Sequence, residues 1–308
     1  MDRKLILSSP NMHAIASQVA AASGAAMGEI RWDAFEAGWP DQVVSDDTLD
    51  RMRGTDLYYF GSLRTPGDAV FDLGVLYALW AFDAARVNYV LPFFPTATNE
   101  RPDHRGRIMT AKTVARMISV IPAADARSRA FIFDPHTEDL PNFFGDAGAR
   151  PKMLTMVDDM KAHIDPSTYA IAFPDLGALK RFGKSFAGYR QVICEKERLG
   201  GDKRNVTVIE GDPRGLDLVI FDDIGNTCGT MLACRETLMR AGASSVRAAF
   251  IHAPLPHRSW ARLTPELFPE VFVTDSCPET LAEIGDRCPH FRVVPIHRRL
   301  TKLVREGF

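Results

Sequence analysis

The sequence predicts an α/β protein of two similar domains, each a parallel sheet flanked by helices. Short apolar runs alternate with helix-like segments almost from end to end, the rhythm of strands joined by helical crossovers. Glycine and proline cluster at Gly145-Asp-Ala-Gly-Ala-Arg-Pro151, between two helical patterns, where a boundary is expected. The 308 residues exceed what one core usually serves. The predicted domains are therefore 1–147 and 148–308.

Apolar runs of strand length stand at 5–8, 56–61, 88–94, 130–134, 169–173, 191–194, 206–209, 217–222, 246–252, 271–274 and 292–295. Helical spacing marks 13–22, 69–84, 111–120, 153–163 and 230–241, with a last helical stretch at 297–306. In such sheets ligands sit beyond the C-terminal strand ends, so polar clusters just after strands draw attention first.

A net charge of −2 argues against a nucleic-acid binder, which needs a basic surplus. Five cysteines, none in a C-x-x-C pair, argue against a disulfide framework or a zinc site and fit a reducing compartment. No stretch reads as a membrane span or a signal peptide. The expectation is a cytoplasmic protein.

The segment with most chemistry is Asp217-Leu-Val-Ile-Phe-Asp-Asp-Ile-Gly-Asn-Thr-Cys-Gly-Thr-Met231. An apolar strand ends in Asp222 and Asp223, followed by the small-residue loop Gly225, Asn226, Thr227, Cys228, Gly229 and Thr230, then a helix. Loop amides and a helix N-terminus make an anion site, and Thr227 and Thr230 add hydroxyls. The two carboxylates are acceptors for sugar hydroxyls or hydrated Mg²⁺. Acids beside an anion hole suit a ribose carrying a phosphate; the alternative is an Asp pair that only caps a helix. Gly177-Ala-Leu-Lys-Arg-Phe-Gly-Lys-Ser185 looks like a P-loop but has five residues between its glycines. Its apolar spacing fits an amphipathic helix.

The loop segment resembles the phosphoribosyl-pyrophosphate (PRPP) binding loop shared by phosphoribosyltransferases and ribose-phosphate pyrophosphokinases. Cys194-Glu-Lys-Glu-Arg198 resembles the catalytic strand of the pyrophosphokinases, Phe133-Asp-Pro-His-Thr137 their metal-binding Asp-x-His segment, and Phe173-Pro-Asp-Leu-Gly-Ala-Leu-Lys-Arg181 a further shared segment. Arg107-Ile-Met-Thr-Ala-Lys112 resembles the helix after their ATP loop, and Val273-Thr-Asp-Ser-Cys-Pro278 a late strand and turn. The order holds over nearly the whole chain.

The resemblance implies a phosphoribosyltransferase-like fold and transfer of pyrophosphate from ATP to ribose 5-phosphate, giving PRPP and AMP, with Mg²⁺. It implies Lys196 and Arg198 as catalytic residues and His136 and Asp175 as metal partners. It also implies a homo-oligomer and a final helix packed on the N-terminal half. Three departures stand out. Thr98 and Asn99 occupy the Arg and Gln positions of the ATP loop, with Arg101 following. The adenine-contact segment matches only loosely at Trp39-Pro-Asp41-Gln-Val43. Asn226 replaces a usual Asp. They leave open a larger acceptor such as ADP-ribose, and a non-catalytic regulatory paralogue. The catalytic strand argues against a phosphoribosyltransferase.

Overall fold

A computed structural model describes residues 4–96, 99, 104–121, 128–145, 148–198 and 204–307, with only the backbone at 196–198 and 204–205. The chain divides into two units, 1–155 with 297–308, and 156–296.

The first unit opens with strand β1 (Lys4–Ser8), helix α1 (His13–Ser23) and strand β2 (Ala26–Met27). A hairpin of β3 (Ile30–Ala34) and β4 (Pro40–Val44) leads to α2 (Asp46–Met52) and β5 (Asp56–Phe60). Then follow α3 (Pro66–Leu79), β6 (Arg86–Leu91), α4 (Thr110–Ser119), β7 (Arg129–Phe133) and β8 (Arg150–Leu154). The sheet order is β2-β1-β5-β6-β7-β8, with every pairing parallel.

Parallel strands covered on both faces read as continuous apolar runs, and Leu57-Tyr-Tyr-Phe60 and Phe131-Ile-Phe133 are such runs, buried throughout. Leu57, Tyr59, Ala130 and Ile132 pack in one core with Val75, Leu76, Leu79, Ala111, Ala115 and Ile118 of α3 and α4. Helix α3 starts where it does because Thr65 and Asp68 form a reciprocal capping box around Pro66.

Two sequence expectations are corrected here. Met153 and Leu154 lie in β8, and only Val157–Lys161, helix α5, is helical in the span 153–163. Because β8 pairs with β7, the first unit runs on through Thr155, past the Gly/Pro cluster.

The second unit continues after α5 with β9 (Ala170–Phe173), α6 (Leu176–Phe182), β10 (Gln191–Arg198), β11 (Arg204–Glu210) and β12 (Asp217–Ile224). Then come α7 (Gly229–Arg240), β13 (Ser245–His252), β14 (Val271–Thr274), α8 (Pro278–Ile284) and β15 (Phe291–Val294). The order is β11-β10-β9-β12-β13-β14-β15. All pairings are parallel except that of edge strand β11 with β10. Strand alternation sends Leu218 and Ile220 into a core with Met231, Cys234 and Leu238 of α7. Phe221 packs instead edge-on to Phe182 and tilted against Phe186. The segment resembling a P-loop is α6, capped by Asp175 Oδ1, which accepts from Ala178 N at 2.9 Å.

The chain then returns to the first unit as α9 (His297–Glu306). Leu300, Leu303 and Val304 recur at helical spacing and are buried where α9 packs on α1. Each fully buried side chain of this kind contributes roughly 1.5–3 kcal/mol before entropy costs. Lys4 Nζ donates to the carbonyls of Val304 and, at 2.7 Å, Arg305.

Candidate active site

In the second unit the chain runs from β9 outward to β10 and β11 on one side, then crosses back so that β12 lies on the other side of β9. This is the switch point of the sheet, where α/β folds open a crevice beyond the strand ends. Asp175 follows β9; Asp222 and Asp223 end β12; the loop 225–230 follows directly. The topology thus gathers residues from two sequence segments at one strand-end crevice.

The loop is pinned at its start. Gly225 N donates to His252 O at 2.7 Å, and Leu255 N donates to Gly225 O at 3.0 Å. A side chain at Gly225 would press on Phe250 and Leu255, with contacts of 3.1 and 3.2 Å from its first carbon. Asn226 and Thr227 are exposed, while Cys228 is buried and left-handed (φ 61°) at the N-cap of α7. A left-handed residue at the end of a loop that bends through 226–228 curls successive amides into a concave donor surface. Gly229 and Thr230 open the 12-residue helix α7, whose N-terminus adds partial positive charge. Burial pushes the Cys228 thiol up to about 11.

The acids form one cluster with Arg181 beside it. Asp223 is buried, and its Oδ2 lies 2.5 Å from Arg181 Nη1 of α6. Asp222 Oδ1 accepts from Asp223 N at 2.9 Å. Burial, followed by the nearby charges of Asp223 and Asp175, raises the Asp222 carboxyl well above the ordinary carboxylate range. This environment favours a bound cation or hydroxyl donor, either of which would relieve crowded negative charge.

Lys196 and Arg198 occupy the extended backbone of β10, paired across the antiparallel edge with Val206 and Arg204; their side chains lie outside the described set. Thr98 and Arg101 also lie outside the described residues. Asn99 Nδ2 donates to Thr110 Oγ1 at 3.3 Å, at the start of α4. Its buried Oδ1 has no partner among the described residues. His136 is exposed in the loop after β7, two residues beyond Asp134, which takes a left-handed backbone (φ 37°). Trp39 is 67% exposed at the tip of the β3–β4 hairpin with Phe35 at 59%, so the tip presents two aromatic faces to solvent. Asp41 lies on β4, its Oδ2 3.8 Å from Arg31 Nη2.

No group of three or more His, Cys, Asp or Glu side chains able to hold a metal occurs among the described residues. With one Asp175 oxygen spent on capping α6, the protein donor set is sparse. That fits Mg²⁺, which takes one or two protein ligands and completes its shell with phosphate oxygens and water.

Three residues with bonds into this site were not singled out in the sequence. Arg181 reaches Asp223 across 42 positions. Ser259 and Arg262 hydrogen-bond to loop carbonyls across 33 and 35 positions. Arg181 closes the segment 173–181 quoted above, though with no role read for it, whereas no local pattern marks Ser259 and Arg262, which tertiary packing alone brings to the site.

A parallel α/β unit with a curled small-residue loop and acids at its switch point defines a protein of the phosphoribosyltransferase type of fold. Comparison with solved structures agrees. A phosphoribosylpyrophosphate synthetase from Mycobacterium smegmatis superposes with a TM-score of 0.83, covering 99% of this chain and 98% of that one at 22% identity. The profile for the N-terminal domain of ribose phosphate pyrophosphokinase matches residues 4–121. Ribose-phosphate pyrophosphokinase 3, mitochondrial, of Spinacia oleracea is 35% identical over 300 residues, 93% of this chain and 73% of the relative. Ribose-phosphate pyrophosphokinase 4 of Oryza sativa subsp. japonica is 33% identical over 92% of this chain and 89% of its own length. The chain belongs to the ribose-phosphate pyrophosphokinase family, and it is an enzyme of that class.

Proposed function

We propose that the protein transfers the pyrophosphoryl group of ATP to the anomeric hydroxyl of ribose 5-phosphate, giving PRPP and AMP. The observation that carries this reading is the curled loop 225–230 beside the Asp222–Asp223 cluster at the switch point. In this reading the amides of the loop and the hydroxyls of Thr227 and Thr230 hold the 5-phosphate. Asp222 and Asp223 orient the ribose hydroxyls. The anomeric oxygen attacks the β-phosphorus of ATP, the bond to the α-phosphoryl oxygen breaks, and AMP leaves with that oxygen. Charge grows on the transferring group, and Lys196 and Arg198 stabilise it, Lys as a point charge and Arg as a planar fork. His136 in the first unit and Asp175 in the second are each proposed as a partner for Mg²⁺ carried by the nucleotide phosphates, and the ion would supply charge neutralisation. The test is AMP release from ATP by the purified protein with ribose 5-phosphate. Absence of AMP with intact fold would favour a regulatory paralogue.

The neutral Asn226 at the exposed loop mouth supports a second acceptor class, a larger ribose-5-phosphoryl compound such as ADP-ribose. Comparing kcat/KM for the two acceptors in one assay decides between them. The exposed aromatics Phe35 and Trp39 on the hairpin and Tyr77 and Trp80 at α3 support a homo-oligomer. The four buried cysteines and the half-buried Cys288, all free, support a reducing, cytoplasmic setting. Among the described residues no helix is long and apolar enough to cross a membrane.

A further inference from the structure

One short segment grips the phosphate loop from behind. Leu255 N donates to Gly225 O at 3.0 Å, Ser259 Oγ to Asn226 O at 2.5 Å, and Arg262 Nη1 to Thr227 O at 2.6 Å. Three successive loop carbonyls therefore point into the segment 255–263. A trans peptide is planar, and its N–H points opposite to its C=O. The amides of Asn226, Thr227 and Cys228 consequently face away from the segment, and among the described residues none of the three has an acceptor. Three neighbouring donors that share a direction and lack an acceptor call for an anion.

The gripping segment is itself held in an unusual form. Leu255, His257 and Arg258 all have left-handed backbones, with φ of 37°, 53° and 57°, a region that non-glycine residues occupy only when their surroundings over-determine it. Those surroundings are present. Leu255, Trp260 and Leu263 are buried. Thr280 Oγ1 donates to Pro254 O at 2.9 Å, and Arg258 Nε lies 2.8 Å from Glu283 Oε1 on α8. The segment is a rigid strap rather than a slack connection, and its shape brings Ser259 and Arg262 to adjacent loop carbonyls.

We propose that Ser259 and Arg262 are positioning residues that fix the carbonyls of Asn226 and Thr227, so that the loop amides stay aimed at the phosphoryl group of the acceptor. The proposal rests on the reading of loop 225–230 as the acceptor-phosphate site. Neither residue touches the acceptor; each acts through the peptide it holds. Losing either bond frees a peptide to rotate, and the anion then meets a disordered donor set, whereas the nucleotide side is untouched.

Ser259→Ala, Arg262→Ala and Arg262→Lys in the full chain test this. Each Ala variant is expected to raise KM for ribose 5-phosphate about tenfold, the scale of one hydrogen bond. KM for ATP should stay within about twofold, and Arg262→Lys should recover part of the loss. An unchanged acceptor KM overturns the proposal. So does an equal rise in both KM values together with a lowered melting temperature, which would mark a merely structural contact. Calorimetric titration with inorganic phosphate separates this from the assigned reaction. If the wild-type enzyme ignores ribose 5-phosphate but binds phosphate, and Arg262→Ala weakens that binding, the strap stands and the acceptor assignment falls. If the wild-type protein binds neither anion, both fall.

Discussion

The guanidinium of Arg181 on α6 lies 2.5 Å from the carboxylate of Asp223 at the end of β12, so the helix behind the sheet holds one of the two acids in front of the loop. The side chains are only 17% and 4% exposed. Removing one partner of such a pair strands the other charge in the interior, at a cost of about 3 kcal/mol. Arg181→Ala should lower the urea midpoint accordingly. The double variant Arg181→Ala/Asp223→Asn should lose less than the sum of the single losses, since the two share one interaction. Strict additivity would mean that the pair is not coupled in solution.

Asp222 predicts a pH dependence of stability. Burial first, then the charges of Asp223 and Asp175, raise its carboxyl in the folded protein, whereas the unfolded chain titrates near about 3.9. A raised folded value contributes stability that is fully present below the unfolded value and is lost as pH rises through the folded one. Asp222→Asn removes that loss. The melting temperature of the variant relative to wild type should therefore shift upward between pH 4 and pH 8 in scanning calorimetry, while AMP production falls. A flat difference across this range would mean a solvated, ordinary carboxylate.

Cys228 sits inside the binding loop, yet its thiol is buried and pushed up to about 11. At neutral pH only about one thiol in ten thousand is ionised, and the thiolate is the reactive form. Iodoacetamide at pH 7.5 should label the half-buried Cys288 before Cys228, read by peptide mass spectrometry. Cys228→Ala should keep the acceptor KM within about threefold, because the backbone amide and not the sulfur faces the anion. Rapid labelling of Cys228, blocked by ribose 5-phosphate, would contradict this.

Lys196→Ala should reduce turnover by roughly 10²–10³, the usual effect of deleting a transition-state charge contact. The circular dichroism spectrum and melting temperature should not change, because Lys196 lies on the edge pair of the sheet, two positions before the last registered pair Arg198–Arg204. Normal turnover would return the strand to a structural role.

The sequence makes legible whatever is built from consecutive residues. The runs 57–60, 131–133, 218–221 and 271–273 are apolar at every position because both faces of each sheet are covered. The acids, loop and helix after β12 read directly, since strand end, turn and N-terminus follow one another in the chain. The β3–β4 hairpin reads only weakly, because Ile30-Arg-Trp-Asp-Ala34 alternates but Pro40-Asp-Gln-Val-Val44 does not, and no residue of either strand is fully buried. Strand β10 runs four residues past its apolar stretch, where the edge partner β11 and not hydrophobicity keeps Glu195–Arg198 extended. Edge strand β8 begins Arg-Pro-Lys and passes for the approach to a helix. The parts of the site made by Arg181, Ser259 and Arg262 depend on packing between distant segments, which no local pattern encodes.

The hydrogen bond from Lys4 to Val304 spans 300 positions, and it bears on the order in which the molecule assembles. The second unit is contained within one stretch, 156–296, and its contacts close as soon as that stretch exists. The first unit begins earlier but ends later: α1 stays uncovered until α9 arrives. During synthesis the early half therefore waits with an apolar helix face open while the later half is made and folds, a vulnerable interval for a chain of this size. Shortening the chain by the residues of α9 would harm the half that was synthesised first.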